Sequence, residues 1–74
     1  MNEEELFELA TENGFDIRQL SDVHFRLLDS YGNFKFDVYI KHNKKGAVRW
    51  NTILKWESQK WSKITTADEF LKLI

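Results

Sequence analysis

The chain has 74 residues, with no cysteine and no proline, and its 11 basic residues nearly balance its 12 acidic ones. This length predicts one small domain, and the lack of cysteine excludes disulfides, thiolate metal sites and cysteine nucleophiles. A chain this short has a core close to the minimum. Most of its six Phe, three Trp and two Tyr residues are therefore needed inside.

Targeting signals are weak in this sequence. The longest apolar run is Val38-Tyr39-Ile40, which is too short for a transmembrane helix. The first residues include Glu3, Glu4 and Glu5, whereas a signal peptide begins with basic residues. The chain also lacks the cysteines that mark small secreted scaffolds. We therefore expect a cytoplasmic protein whose mature form is the whole chain, folded as a single domain over residues 1–74.

The first predicted element is a helix. Asn2 followed by Glu5 is typical of a helix start, and acidic residues in the first turn favour the helix dipole. Asn13-Gly14 ends the helix, because glycine adopts the left-handed conformation of a helix terminus. The apolar stripe of this helix comprises Leu6, Phe7, Leu9 and Ala10. After it we expect a connection anchored by Phe15, Ile17 and Leu20, with room for one further helical turn.

From Asp22 the apolar residues recur at every second position, which predicts strands. Composition places turns at residues 30–33 and 43–46. The first strand has Val23, Phe25 and Leu27 on one side and His24, Arg26 and Leu28 on the other. In the second, Phe34, Phe36, Val38 and Ile40 alternate with Lys35, Asp37, Tyr39 and Lys41.

The third predicted strand begins near Ala47, with Val48 and Trp50 inward and Arg49 outward. Its end is ambiguous, because the adjacent Ile53 and Leu54 indicate either a bulge or a stop near Thr52. Residues 61–64 are a candidate fourth strand. Residues 66–69 form a capping box for a last helix, whose apolar side contains Phe70, Leu73 and Ile74.

The predicted fold is α+β, in the order α-β-β-β(-β)-α. Short turns favour a three- to four-stranded antiparallel meander, with the N-terminal and C-terminal helices packed on one face. The expected buried residues are Val23, Phe25, Leu27, Phe34, Phe36, Val38, Ile40, Val48, Trp50, Leu6, Leu9, Phe70 and Leu73.

Catalysis finds little support in the sequence. His24 lies in a predicted strand and His42 at a strand end, and neither has a catalytic motif around it. We therefore expect no enzyme, no cofactor and no small-molecule substrate. A metal site built from His24 or His42 with a nearby carboxylate is a less favoured alternative.

The charges are distributed unevenly along the chain. Residues 1–33 have eight acids and two bases, a balance of −6, whereas residues 34–64 have eight bases and two acids, a balance of +6. The last ten residues add −1. The acidic run of the first helix could dock a basic partner, but a solvated helix face is the commoner explanation. This run comprises Glu3, Glu4, Glu5, Glu8 and Glu12.

The basic segment predicts a binding surface. If the apolar side of the second strand faces the helices, cations and an aromatic ring face outward on three neighbouring strands. Such a face suits single-stranded nucleic acid, because cations neutralise phosphates and bases stack on rings. The candidate binding residues are Arg26, Lys35, Tyr39, Lys41, Arg49, Trp56 and Trp61.

Protein binding is the competing function. Exposed Tyr, Trp and Arg residues are typical of interaction hot spots. A compact chain of this kind also suits an inhibitor or adaptor, such as the small proteins that phages and mobile elements use against host machinery. A purely structural subunit is a third alternative. The uneven charge slightly favours nucleic acid as the partner. An acidic protein surface fits the same patch, and the oligomeric state stays open.

Overall fold

A computed structural model describes the backbone of residues 3–42 and 48–74 and the side chains of residues 4–40 and 52–74. The predicted turn at residues 43–46 lies outside the described residues. The elements are α1 (Glu3–Glu12), β1 (Asp16–Gln19), β2 (His24–Leu28), β3 (Phe34–His42), β4 (Val48–Lys55), β5 (Lys60–Ile64) and α2 (Ala67–Leu73). The strands form one antiparallel sheet in sequence order, β1-β2-β3-β4-β5. The predicted α+β class, with a helix at each end of a meander, is confirmed.

The sheet has one more strand than the sequence predicts. β1 pairs with β2 in a register that sets Ile17 opposite Leu27 and Arg18 opposite Arg26. Only Ile17 is apolar in this four-residue strand, so the sequence has no alternation to reveal it. The connection expected after α1 is therefore an edge strand.

Both helices cover the same face of the sheet. Leu6 and Ala10 of α1 and Phe70 of α2 are fully buried against it. Phe36 packs edge-to-face on Phe15 and contacts the ring of Phe70. The strands contribute the remaining core residues, which are Phe25, Leu27, Phe36, Val38, Ile40, Ile53 and Ile64.

Most of the expected buried residues are confirmed. Leu6, Phe25, Leu27, Phe36, Val38, Ile40 and Phe70 are buried, and Leu9 and Leu73 pack against them partly buried. Val23 and Phe34 were predicted wrongly, since each is 44% exposed. Val23 precedes β2 in a bend, and Phe34 lies where the β2–β3 register shifts, so that it contacts residues of the opposite face. The side chains of Val48 and Trp50 lie outside the described ones.

The ambiguous end of the third predicted strand is resolved. β4 continues to Lys55, with Ile53 and Leu54 both buried. Ile53 belongs to the helix-covered core. Leu54, as its neighbour in the strand, lies on the opposite face. That face therefore buries apolar side chains of its own.

Two of the expected helix ends are present, the end of α1 and the start of α2, whereas Asn2, expected at the start of α1, lies outside the described residues. Gly14 follows α1 with φ of +86°, the left-handed conformation that glycine tolerates best. At the start of α2, Thr66 is the N-cap and its side chain accepts a hydrogen bond from the Glu69 backbone N–H. In the described part of the chain, no helix has the length and apolar character needed to cross a membrane.

Candidate functional site

The sheet face opposite the helices is the candidate site, and it is called the outer face below. No helix of the described chain packs on it. Strand pairing places Arg18 beside Arg26, Asp37 beside Leu54 and Thr52 beside Lys63. Its described side chains are Asp16, Arg18, His24, Arg26, Leu28, Phe34, Asp37, Tyr39, Thr52, Leu54, Trp56, Trp61 and Lys63.

Asp37 lies at the centre of the outer face and is only 4% exposed. Its carboxylate accepts hydrogen bonds from three side chains. His24 Nε2 lies 2.9 Å from Oδ2, Arg26 Nε 2.9 Å from Oδ1, and Trp56 Nε1 2.8 Å from Oδ1. Arg26 Nη2 adds a second contact to Oδ2 at 3.1 Å, so the arginine grips the carboxylate with two groups.

These donors explain how a carboxylate is accommodated in a buried position. Burial raises the pKa of Asp37, but hydrogen bonds from Arg26, Trp56 and His24, together with the charge of Arg26, outweigh it. The pKa of Asp37 therefore lies below its ordinary value, and the group is ionised. A buried carboxylate with every oxygen bonded organises its neighbours strongly, because losing any donor leaves a costly charge.

Arg26 is fixed by rings as well as by Asp37. Its guanidinium carbon lies 4.2 Å from the centre of the Phe34 ring and 5.4 Å from that of Trp56. The hydrogen bonds to Asp37 raise the pKa of Arg26 further. A guanidinium held in this way supports the surrounding side chains, and its charge is already compensated within the molecule.

Three rings cross the outer face in a row. His24 stacks on Tyr39 with ring centres 4.1 Å apart and planes 16° from parallel. Tyr39 contacts Trp61 at 5.6 Å with a tilt of 42°. We call His24, Tyr39 and Trp61 the aromatic row. It extends from β2 to β5, and Trp61 is 52% exposed at its end.

The predicted binding residues have different environments. Tyr39 and Trp61 belong to the aromatic row, whereas Arg26 and Trp56 are bonded to Asp37. Lys35 is exposed and lies 3.8 Å from Asp29, beside the β2–β3 turn. Lys41 and Arg49 lie in β3 and β4, and their side chains are outside the described ones.

Sequence reasoning missed Asp37, Phe34 and His24 as parts of the site. A usable signal was present, because the outward positions of the strands include the apolar Leu54 and Trp56. A face exposed to water does not need them there. Their presence indicates a partly buried outer face, within which an aspartate opposite an arginine becomes a paired group.

The carboxylate of the Asp37–His24 pair is already occupied by other donors. Arg26 and Trp56 donate to the same carboxylate oxygens that a metal would need. Among the described side chains, those of residues 4–40 and 52–74, no group of three or more metal-ligating residues is found. Tyr39 covers one face of the His24 ring by stacking on it.

Acid is expected to remove the stabilisation that the ionised Asp37 provides. Because the native pKa of Asp37 is lowered, the unfolded chain takes up its proton first, near pH 3.9, as the pH falls. The stabilisation from Asp37 is complete above that pH and is lost below it. The difference in unfolding free energy between the parent and Asp37→Asn should therefore be smaller at pH 3 than at pH 5.

Urea unfolding followed by circular dichroism measures this difference. Asp29 has a pKa lowered by hydrogen bonds from Asn33, but it is present in both proteins and cancels. An equal difference at pH 5 and pH 3 would contradict an ionised, bonded Asp37.

Comparisons with protein family models, curated proteins and solved structures found no match to this chain. The geometry of the outer face is therefore the basis for a function.

Proposed function

We propose that this chain is a non-catalytic domain that binds single-stranded nucleic acid across its outer face. The observation that supports it is the aromatic row on the outer face, which no helix among the described residues covers and which ends in the half-exposed Trp61. Base stacking on such rings contributes roughly 1–3 kcal/mol per base and tolerates any sequence. A cytoplasmic location, proposed from the absence of cysteine, is compatible with this partner.

Phosphate contacts require cations near the aromatic row. Residues 34–64, which include β3, β4 and β5, have a balance of +6. Lys63 is exposed on the outer face two residues from Trp61. Arg26 is not a phosphate ligand in this proposal, because its charge is already paired with Asp37.

We expect the affinity for oligonucleotides to depend weakly on nucleotide sequence and strongly on salt concentration. Labelled single-stranded and duplex oligonucleotides of 12 residues would be titrated with the protein at two salt concentrations, by fluorescence anisotropy. We expect single strands to bind more tightly than duplexes, with affinity falling steeply as salt increases. Absence of single-strand binding at low salt would contradict the proposal.

The matched variants are Trp61→Ala and Tyr31→Ala. Loss of one stacked base should weaken binding of Trp61→Ala by about 5- to 150-fold, from roughly 1–3 kcal/mol. Tyr31 is 89% exposed in the β2–β3 turn and has no place in the aromatic row, so Tyr31→Ala should bind within about twofold of the parent. Equal losses of affinity in both variants would mean that the aromatic row has no specific part in oligonucleotide binding.

A protein partner is the second candidate, and one observation favours it. Pairing of Arg26 with Asp37 leaves the centre of the outer face less basic than the sequence predicts. Phe34 and Trp61 are each about half exposed on the outer face, and exposed aromatic residues are typical of interaction hot spots. An inhibitor or adaptor of this kind would not bind oligonucleotides, and Trp61→Ala would weaken its protein complex with little change in salt dependence.

A further inference from the structure

β1 is an edge strand, and one of its two long edges faces away from β2. The Leu20 N–H donates to the His24 carbonyl. Because hydrogen-bonded positions recur at every second residue, the even-numbered residues of β1 direct their main-chain groups toward β2. The main-chain groups of Ile17 and Gln19 therefore point outward from the edge. In the part of the chain that the structure describes, no strand lies beyond β1. Exposed edges of this kind pair readily with another strand.

The side chains of β1 are complementary to themselves. In an antiparallel pair of β1 strands centred on Ile17, Asp16 of each copy lies opposite Arg18 of the other. Both residues are exposed and lie on the outer face. Opposite charges directly across such a pair are favourable, and a slip by two residues removes the match.

We propose that two copies of this chain associate through their β1 edges in this register. The dimer has two-fold symmetry, because each copy presents the same strand to the other. Ile17 exchanges two main-chain hydrogen bonds with Ile17 of the second copy. The Gln19 N–H of each copy donates to the Phe15 carbonyl of the other, which makes four bonds in all.

Apolar surface near this edge supports a second copy as the occupant. Leu20 and Val23, in the β1–β2 connection, are each 44% exposed. The proposed register places Leu20 opposite Gly14 of the second copy, where no side chain obstructs it. On the helix side of the sheet, the partly buried Ile17 of each copy meets its equivalent. A foreign strand would need the same acid and base spacing, which this chain already has.

The acidic helix opposes this association to some extent. α1 packs against β1, and its exposed Glu4, Glu8 and Glu12 would repel the second copy's helix. Added salt screens this repulsion as well as the attraction between Asp16 and Arg18. The salt dependence of dimerisation therefore does not distinguish the two effects. Exchanging the charges of Asp16 and Arg18 at a fixed salt concentration does.

The test uses sedimentation equilibrium of the full chain from micromolar to millimolar concentration. Asp16→Arg alone and Arg18→Asp alone each place like charges opposite each other at two positions of the dimer. Each should therefore raise the dissociation constant of the dimer about tenfold or more. The double variant Asp16→Arg with Arg18→Asp should restore it. An equimolar mixture of the two single variants should form the mixed dimer, which native mass spectrometry distinguishes by mass.

Glu57→Arg is the matched control. Glu57 is an exposed acid in the β4–β5 turn, far from β1 in the strand order, so this variant should dimerise like the parent. Circular dichroism checks that each variant is folded. A parent chain that stays monomeric to millimolar concentration overturns the proposal. So does a dimer that the single variants leave unchanged, or a double variant that does not recover. None of these outcomes depends on nucleic-acid binding.

Discussion

Replacing Asp37 with alanine is expected to lower the free energy of unfolding by about 3 kcal/mol, the lower end of the cost of breaking a buried ion pair, because Arg26 is partly exposed. The loss is large because three donors depend on this carboxylate. Arg26 loses its counter-charge, and Trp56 loses the acceptor of its indole N–H. A domain of 74 residues has only about 4–11 kcal/mol in total. Asp37→Ala therefore removes much of its stability.

Urea unfolding at neutral pH measures this loss, with Asp22→Ala as the control. Asp22 is exposed, so its replacement should change stability by no more than about 0.5 kcal/mol. A double-mutant cycle with Arg26→Leu and Asp37→Leu separates the pair from its surroundings. The double variant should lose less than the sum of the single variants, because it leaves no unpaired buried charge. Additive losses, or an Asp37→Ala variant as stable as Asp22→Ala, would contradict the network.

Phe36→Ala is the second substitution with a large expected effect, about 3–5 kcal/mol. Phe36 is 3% exposed, and its ring contacts Phe15 and Phe70. It thus joins the sheet to α2 and to the segment between α1 and β1. Removing the ring leaves a cavity that a small core has few side chains to fill.

Phe34→Ala is a closely matched control, because it removes a phenyl ring of the same size from a position two residues earlier in β3. Phe34 is 44% exposed and packs on Arg26 and Trp56 at the rim of the outer face. Its loss should cost only about 1 kcal/mol. Urea midpoints compare the two variants directly. A larger loss of stability for Phe34→Ala than for Phe36→Ala would contradict the assignment of the core to the face that carries Phe36.

The sequence predicted the elements that have strong local signals. Alternation identified β3, and Gly14 and Thr66 marked the ends of α1 and α2 as observed. It did not predict β1, because a short edge strand buries only one side chain and its pairing depends on tertiary contacts. Phe34 was assigned to the wrong face because strict alternation does not anticipate the register shift beside Leu28.

The candidate site was predicted less completely than the fold. Parity alone placed Arg26 and Tyr39 on one face, as the contacts of the two residues show. Parity does not reveal whether an outward charge is solvated or paired. Asp37 is bonded to Arg26 and to Trp56, 11 and 19 residues away in sequence. Only three-dimensional packing brings these groups together and removes Arg26 from the available cations.

The meander order of the sheet has a consequence for folding kinetics. Each strand pairs with the next one along the chain, so every ladder closes a short loop. Domains rich in such local contacts cross their folding barrier faster than sheets with long-range pairing. The helices are different, because α1 and α2 lie at opposite ends of the chain and touch each other. We therefore expect the hairpins to form first and the contact between the two terminal helices to form late in folding.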